Sequence, residues 1–349
     1  MKIANTLSAL LMTFYLLALT AEPAHAAFDD YQRFHKGAYD FEFETRYFNT
    51  EANYNGSGDS FQRLSMGKSY EIYNAYLKTR YGLSRRSALY GNLNIANATS
   101  HGLDADRNNS SIPDAQVGYA YRPYNEAFDT VLDFNVVIPF YKINENTDSA
   151  LNNEGVIVAT ALLRLQKEIS SLGLFGYLGG SFRQSRSSLV PWGVGMELSY
   201  PGWGWGGKIF GYQSLTEDPG TSHKTQRLIV VDRVNAGSLA YYSVNPSVVD
   251  SEVFAKFRFK NTWTLAVGGG TTITGANTAA GYHGGVSLAY TWDREPSYYM
   301  NSSDQETGLS SEKKVRKFKE EVEDGVNQNL FQKKLPPAPT HKSGSPGQP

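Results

Sequence analysis

Gly281-Tyr-His-Gly-Gly-Val-Ser-Leu-Ala-Tyr-Thr-Trp292 alternates strictly in character. Tyr282, Gly284, Val286, Leu288, Tyr290 and Trp292 fall on one face of an extended chain. His283, Gly285, Ser287, Ala289 and Thr291 fall on the other. A period of two is the signature of a strand with unlike faces, here one apolar and aromatic-ended and one small or polar.

Working backward, the same alternation recurs from Lys36 onward. Tyr39, Phe41, Phe43, Thr45 and Tyr47 alternate with Asp40, Glu42, Glu44 and Arg46. Tyr73, Ala75, Leu77 and Tyr81 oppose Asn74, Tyr76, Lys78 and Arg80. Similar segments are centred on Leu93, Tyr119, Phe134, Leu163, Gly176, Met196, Ile209, Phe257 and Val267. Two less regular ones, Thr225–Val234 and Ser238–Val244, bring the set to about fourteen. A one-sided sheet in water explains any single segment. The repetition of an apolar face opposite a charged one predicts an all-β fold: a transmembrane, antiparallel, up-and-down β-barrel of 12–14 strands.

The connections sort into two kinds. Gly82–Ser87, Arg122–Ala127, Glu168–Gly173, Tyr200–Gly202, Asn235–Gly237 and Lys260–Thr262 are tight. Asn49–Ser69, Asn97–Ser111, Lys142–Glu154, Gln184–Leu189, Ser214–Lys224, Asn245–Ser251 and Ile273–Ala280 are longer and polar. Alternating short and long connections is the hairpin rhythm of outer-membrane barrels, with short turns in the periplasm and long loops outside. Tyr47, Tyr81, Tyr121, Tyr200, Trp203, Trp263 and Trp292 fall at predicted strand ends, where interfacial aromatic girdles sit.

The ends of the chain supply an address. Lys2 precedes an apolar core, Leu7–Thr20, and Ala24-His25-Ala26 is an A-x-A site, so residues 1–26 read as a signal peptide. The barrel then occupies 27–292, in the outer membrane of a Gram-negative cell. Residues 293–349 form a periplasmic tail, with a short helix over about 311–324 and a disordered end beyond Leu335-Pro-Pro-Ala-Pro339. The tail offers a surface for a periplasmic partner.

The chain is 40% hydrophobic with a mean hydropathy of −0.42, which a barrel shares with soluble proteins. Cysteine is absent, excluding thiolate metal sites, disulfides and cysteine catalysis. Removing residues 1–26 takes away Lys2 and Glu22 and leaves the net charge at −1, which gives no footprint for nucleic acid. Catalytic spacing is missing too. His35, His101, His223, His283 and His341 are scattered, no H-x-S pair lies on a strand, and no phosphate loop or metal motif occurs. The expectation is no enzyme, no cofactor and no metal.

What remains is the lumen. Its predicted lining charges are Asp40, Glu42, Glu44, Arg46, Lys78, Arg80, Arg122, Asp129, Asp133, Arg164, Glu197, Lys256, Arg258 and Lys260. Set on opposite walls they would create a transverse field that orients polar solutes. Paired along one wall they would form structural ladders instead.

The closing stretch resembles the C-terminal strand of bacterial outer-membrane barrels, whose assembly signal alternates apolar residues and ends on an aromatic. Tyr282, Val286, Leu288, Tyr290 and Trp292 carry that likeness, which implies the barrel-assembly machinery and outer-membrane lipid as partners. Separately, Ser111-Ile-Pro-Asp-Ala-Gln-Val-Gly-Tyr-Ala-Tyr121 and Leu132-Asp-Phe-Asn-Val-Val-Ile-Pro-Phe140 resemble the phenol-degradation (meta-pathway) outer-membrane proteins, relatives of the long-chain fatty-acid transporter. In that family's pattern the Asp is Asp114 and the strand-ending Pro is Pro139, while Pro113 stands where Gly is usual. The resemblance implies passage of hydrophobic or aromatic compounds. The transporter's N-terminal hatch has no counterpart before strand one, so inward-folded loops are expected to close the barrel, Asn49–Ser69 being the longest. Passive passage of small solutes is the leading reading. The other is a structural or adhesion barrel with a filled lumen, whose loops or tail bind partners.

Overall fold

The computed structural model describes residues 36–292, apart from 57–59, 124–127 and 260–261. The predicted signal peptide (1–26), the tail (293–349) and its helix (about 311–324) lie outside the described residues.

The chain runs through β1 (Tyr39–Asn55), β2 (Ser60–Arg63), β3 (Ser69–Ser84), β4 (Ser87–His101) and β5 (Asp106–Ser111). Then come β6 (Asp114–Tyr121), β7 (Asp129–Pro139), β8 (Val158–Ile169), β9 (Leu172–Arg183), β10 (Leu189–Tyr200) and β11 (Trp203–Ser214). A helix, α1 (Lys224–Val234), precedes β12 (Ser247–Phe259), β13 (Trp263–Ala276) and β14 (Thr278–Trp292). Each long strand pairs with the next, and β1 pairs with both β3 and β14. The ring therefore closes as a 12-stranded antiparallel barrel. β2 and β5 are short additions to the ends of β1 and β4.

Closure runs from Tyr39 opposite Trp292 to Tyr54 opposite Thr278, with one bulge between Thr50 and Ala52. Every strand of the ring thus has a neighbour on both sides, which removes the free edge an open sheet would expose.

Twelve lies within the expected 12–14 strands, but two of the expected strand segments are corrected. The expected strands Thr225–Val234 and Ser238–Val244 are respectively α1 and irregular chain inside a single connection, 215–246. The reason is visible in the burial. Val230, Val231 and Val234 are buried while Leu228 and Ile229 are exposed, a helical spacing and not an alternation. Asn235–Gly237, expected as a hairpin turn, is instead the helix exit. Ala236 and Gly237 have φ of 52° and 83°, and the Gly237 N–H donates to Val231 O at 3.1 Å.

One rim carries short turns, such as Ser170-Ser171 and Pro201-Gly202, and the other carries the long connections. Several predicted loops prove to be strand. β1 continues past Asn49 to Asn55, β4 past Asn97 to His101, and β13 runs through Ile273 to a turn at Asn277, where φ is 50°.

The outside of the ring explains this. Phe41, Phe43, Leu77, Leu89, Val117, Phe134, Met196, Trp205, Val267 and Leu288 are all exposed. Aromatic clusters bound this belt. On the short-turn rim Tyr39 packs against Tyr81 and Trp292 (4.6 and 5.7 Å between ring centres), Tyr200 against Trp203 (4.7 Å) and Trp263 against Tyr290 (4.8 Å). Tyr47 meets Tyr73 and Tyr282 at 4.6 and 6.1 Å. Tyr47 lies about eight residues beyond Tyr39, a rise of ~26 Å along the strand and ~20 Å along the axis of a barrel tilted by ~40°. That is close to the height of an apolar membrane band. Above Tyr47 the outward side chains turn polar: Glu71 accepts from the Tyr47 hydroxyl, Asn108 from Thr99 and Asn97 from Ser110. The strands continue past the belt, and their polar upper ends read in sequence as loops.

Inside, rings lie flat over glycines. A Cβ at Gly118 would sit 2.2 Å from Cζ of Tyr90, and one at Gly206 would sit 2.8 Å from Cζ of Phe254. Gly118→Val should therefore overpack the wall and lower stability by about 1–3 kcal/mol. Gly180→Val, where nothing lies within 4 Å, should leave stability unchanged. Urea titration followed by the gel shift of folded against unfolded barrel measures both.

Candidate functional site

Below the level of Tyr47, the inner face carries the charges in three groups. On β1 and β3, Asp40 pairs with Arg80 at 2.6 Å, and Lys78 reaches Glu42 at 3.2 Å and Glu44 at 2.7 Å. Arg46 closes the row by donating to Glu44. On β6 to β8, Arg122 pairs with Asp129 at 2.8 Å and Arg164 with Asp133 at 3.0 Å. The Tyr90 hydroxyl donates to the other Asp133 oxygen, which its ring reaches by crossing Gly118. On β10 and β12, Lys256 meets Glu197 at 2.7 Å. That pair spans β11 at Gly204 and Gly206, and a Cβ at Gly204 would come within 3.0 Å of Glu197 Oε1.

Register accounts for the pairing. Asp40 stands opposite Arg80 and Glu42 opposite Lys78, so each acid meets its base across one ladder. Acid and base lie side by side along the wall. Arg258 is two residues from Lys256 on β12, nearer the short turns, and Lys260 lies outside the described residues.

Three inner residues were not among the expected ones. Lys208 sits 3.5 Å from Glu252, and His283 Nε2 lies 3.4 Å from the same carboxylate. Lys208 alternates with Trp203, Trp205 and Ile209, so parity alone marks it as inward. The parity of Glu252 is hidden by the expected loop Asn245–Ser251, since β12 already begins at Ser247.

Above the belt the interior is filled by chain. Ala150–Asn153, between β7 and β8, packs under the 215–246 connection. Ala150 joins Tyr70, Ile72, Ala96 and Ala98 in one core, and Leu151 joins Val230 and Val234 in another. The long connection, not the predicted Asn49–Ser69, is the chief inward-folded segment. Hydrogen bonds fix it: Asn53 Nδ2 donates to Gly237 O at 2.8 Å and the Leu151 N–H to Asn235 Oδ1 at 3.0 Å. Lys68 reaches Asp232 at 2.6 Å.

The firmest tie is a fork. Arg227 NH1 and NH2 each donate to a carboxylate oxygen of Asp218 at 2.8 Å, and both groups are largely buried. Burial alone would raise the Asp218 carboxyl. Hydrogen bonds and charge from Arg227, with the backbone N–H groups of Gly220 and Ser187, outweigh it and hold the carboxyl below its usual range. A depressed carboxyl stabilises the clasp fully above the ordinary aspartate value of roughly 4, and that stability is lost as pH falls through the folded value.

No family model matches the sequence, and no curated protein matches it. Among solved structures, an outer membrane channel from Pseudomonas putida F1 superposes with a TM-score of 0.54 at 15% identity, over 78% of this chain and 100% of that one. At that identity the likeness is one of fold. The KdgM porin (TM-score 0.40, 9% identity, 73% of this chain and 99% of that) and the translocator domain of autotransporter NalP from Neisseria meningitidis (0.41, 11%, 82% and 97%) are more distant.

Two predictions follow from the pairing and the clasp. Lys78→Met takes away the cation that Glu42 and the buried Glu44 share, leaving Glu44 to Arg46 alone, and should cost about 1–3 kcal/mol, against under ~0.5 kcal/mol for Arg63→Gln on exposed β2, by urea titration. Asp218→Asn, a mimic of the acid state, should speed amide hydrogen exchange in α1 at neutral pH and leave the ring strands protected.

Proposed function

We propose that this chain is an outer-membrane channel of a Gram-negative bacterium, through which small solutes pass passively. One observation carries the reading. The ring is apolar outside over the height of a membrane band and lined inside by ionic and hydrogen-bonding side chains, the inverse of a soluble barrel. The Pseudomonas putida structure that shares the fold is described as an outer membrane channel, which agrees with this assignment.

The proposed lumen-lining set is Asp40, Glu42, Glu44, Arg46, Lys78, Arg80, Arg122, Asp129, Asp133, Arg164, Glu197, Lys256 and Arg258, to which Lys208, Glu252 and His283 are added; Lys260, expected with them, lies outside the described residues. Because acids and bases alternate along the wall, the lumen presents polarity with little net field. Such a wall suits small polar or zwitterionic solutes better than it sorts ions by sign. On the inner face the part-exposed Tyr90 ring adds apolar contact for the aromatic compounds that the meta-pathway resemblance implies. Residues 1–26 would direct export, β14 would be read by the assembly machinery, and the tail would lie in the periplasm.

The 215–246 connection gates this path. It closes the long-loop mouth through side-chain contacts above the membrane band, so it can move without breaking the ring. Planar-bilayer recording of the refolded protein should give small or infrequent openings, and Asp218→Asn with Arg227→Gln should raise the open fraction. No resolvable conductance from either protein would sink the channel reading. Liposome swelling with aromatic acids against sugars tests the solute class, aromatic acids being expected to enter faster.

A further inference from the structure

At the long-loop mouth one cation stands apart. Arg186, in the β9–β10 connection, is 8% exposed, and its Nε is buried without a hydrogen-bond partner. Among the described residues nothing accepts a hydrogen bond from its guanidinium. Its neighbours are engaged elsewhere. Arg227 is committed to Asp218 through both nitrogens at 2.8 Å. Arg183 donates to Ser187 O at 2.9 Å and Ser187 Oγ at 2.7 Å and reaches Glu154 at 3.5 Å.

Arg186 does have a platform. Its guanidinium carbon lies 4.2 Å from the ring centre of Tyr242, and that of Arg227 lies 5.2 Å from the same ring. Tyr242 holds a left-handed backbone, φ 66°, and its N–H donates to Glu154 at 3.4 Å. The plane of the guanidinium is thus fixed while its donors stay free. Burial depresses the Arg186 pKa, Glu154 opposes that, and Arg227 adds to it, so the group lacks a full counter-charge. A desolvated cation without a bonded counter-ion is costly. A ligand that supplies the missing acceptors removes the cost.

We propose that Arg186, braced on Tyr242, is the entry site for a monoanionic carboxylate, which it grips through two parallel hydrogen bonds. The planar fork matches a carboxylate. Glu154 and Asp218 stand close enough to repel a dianion, so a singly charged group fits better than phosphate. That the ligand is a solute on its way through the barrel rests on the channel reading. The site itself does not.

Calorimetric titration of the full refolded protein in detergent, near pH 7, tests it with benzoate, benzamide and inorganic phosphate. Benzoate should bind saturably. Benzamide, which lacks the charge, and phosphate should bind at least about tenfold more weakly. Arg186→Gln should lose about tenfold or more in benzoate affinity, and Arg186→Lys, a point charge without the fork, should fall between. Benzoate should raise the thermal midpoint of the parent protein and leave that of Arg186→Gln unmoved. Benzoate binding undiminished in Arg186→Gln, equal binding of benzamide, or tighter binding of phosphate would each overturn the proposal. If Arg186→Gln does not refold, Arg186→Lys decides: unchanged benzoate affinity there rejects the bidentate grip. Binding without conductance would retain this site and reject the channel, and conductance without binding would do the reverse.

Discussion

The antiparallel ladder between β1 and β14 is the interaction on which the rest depends. Tyr39 meets Trp292 at one end and Tyr54 meets Thr278 at the other, so the first and last strands satisfy each other's backbone groups. In hydrocarbon an unpaired N–H or carbonyl costs several kcal/mol, so a sheet spans a membrane only when it has no edge. Closure then imposes a strict inside and outside on every strand. A slip of one residue would turn Phe41 and Phe43 inward and bring Glu42 and Glu44 to lipid. The ion pairs reinforce the register that closure sets. Asp40–Arg80 and Glu42–Lys78 bond only when β1 and β3 are correctly aligned.

That constraint explains what was legible in the sequence. Period two appears wherever the two faces meet unlike solvents, so β1, β3, β7 and β14 declare themselves, and the even strand number follows from alternating connections. Legibility ends where the contrast ends. Above Tyr47 both faces of β1 and β4 meet polar surroundings or packed chain, and Asn49–Asn55 and Asn97–His101 look like loop while remaining strand. The 215–246 connection misleads in the opposite sense. The run Leu228-Ile-Val-Val231 carries β-branched residues and reads as strand, yet it is helical because one side packs on Leu151 and the other is exposed. Tertiary context overrides propensity there.

The interior shows the same division. Parity along a strand places Asp40, Lys78, Arg164 and Lys256 on the inner face, and Lys208 as well once β11 is read through. Parity does not say which acid meets which base. Lys256 reaches past β11 to Glu197, a partner two strands away, because Gly204 and Gly206 leave the intervening strand bare. Glycine on an inner face is silent in a hydropathy pattern, yet here it decides which charges bond and where the Tyr90 ring lies. The mouth is less legible still, since the Asp218–Arg227 fork and the Arg186–Tyr242 stack depend on how separate connections fold together.

The height at which the barrel is closed has a physical cause. A packed insertion at the level of the apolar belt would compete with the wall charges for partners and leave some of them buried and unpaired, which is costly. Above Tyr47 the inner faces of β3 and β4 instead offer Tyr70, Ile72, Ala96 and Ala98, small or apolar side chains against which Ala150 and the irregular part of the 215–246 connection pack. Of the polar ties there, Lys68–Asp232 lies near water, where it contributes little net free energy, while Asn53–Gly237 is largely buried. The ring holds the membrane and the charge ladders hold the ring. The 215–246 connection is tied to the ring by side-chain contacts such as Asn53–Gly237 and Lys68–Asp232, above the level of the ladders.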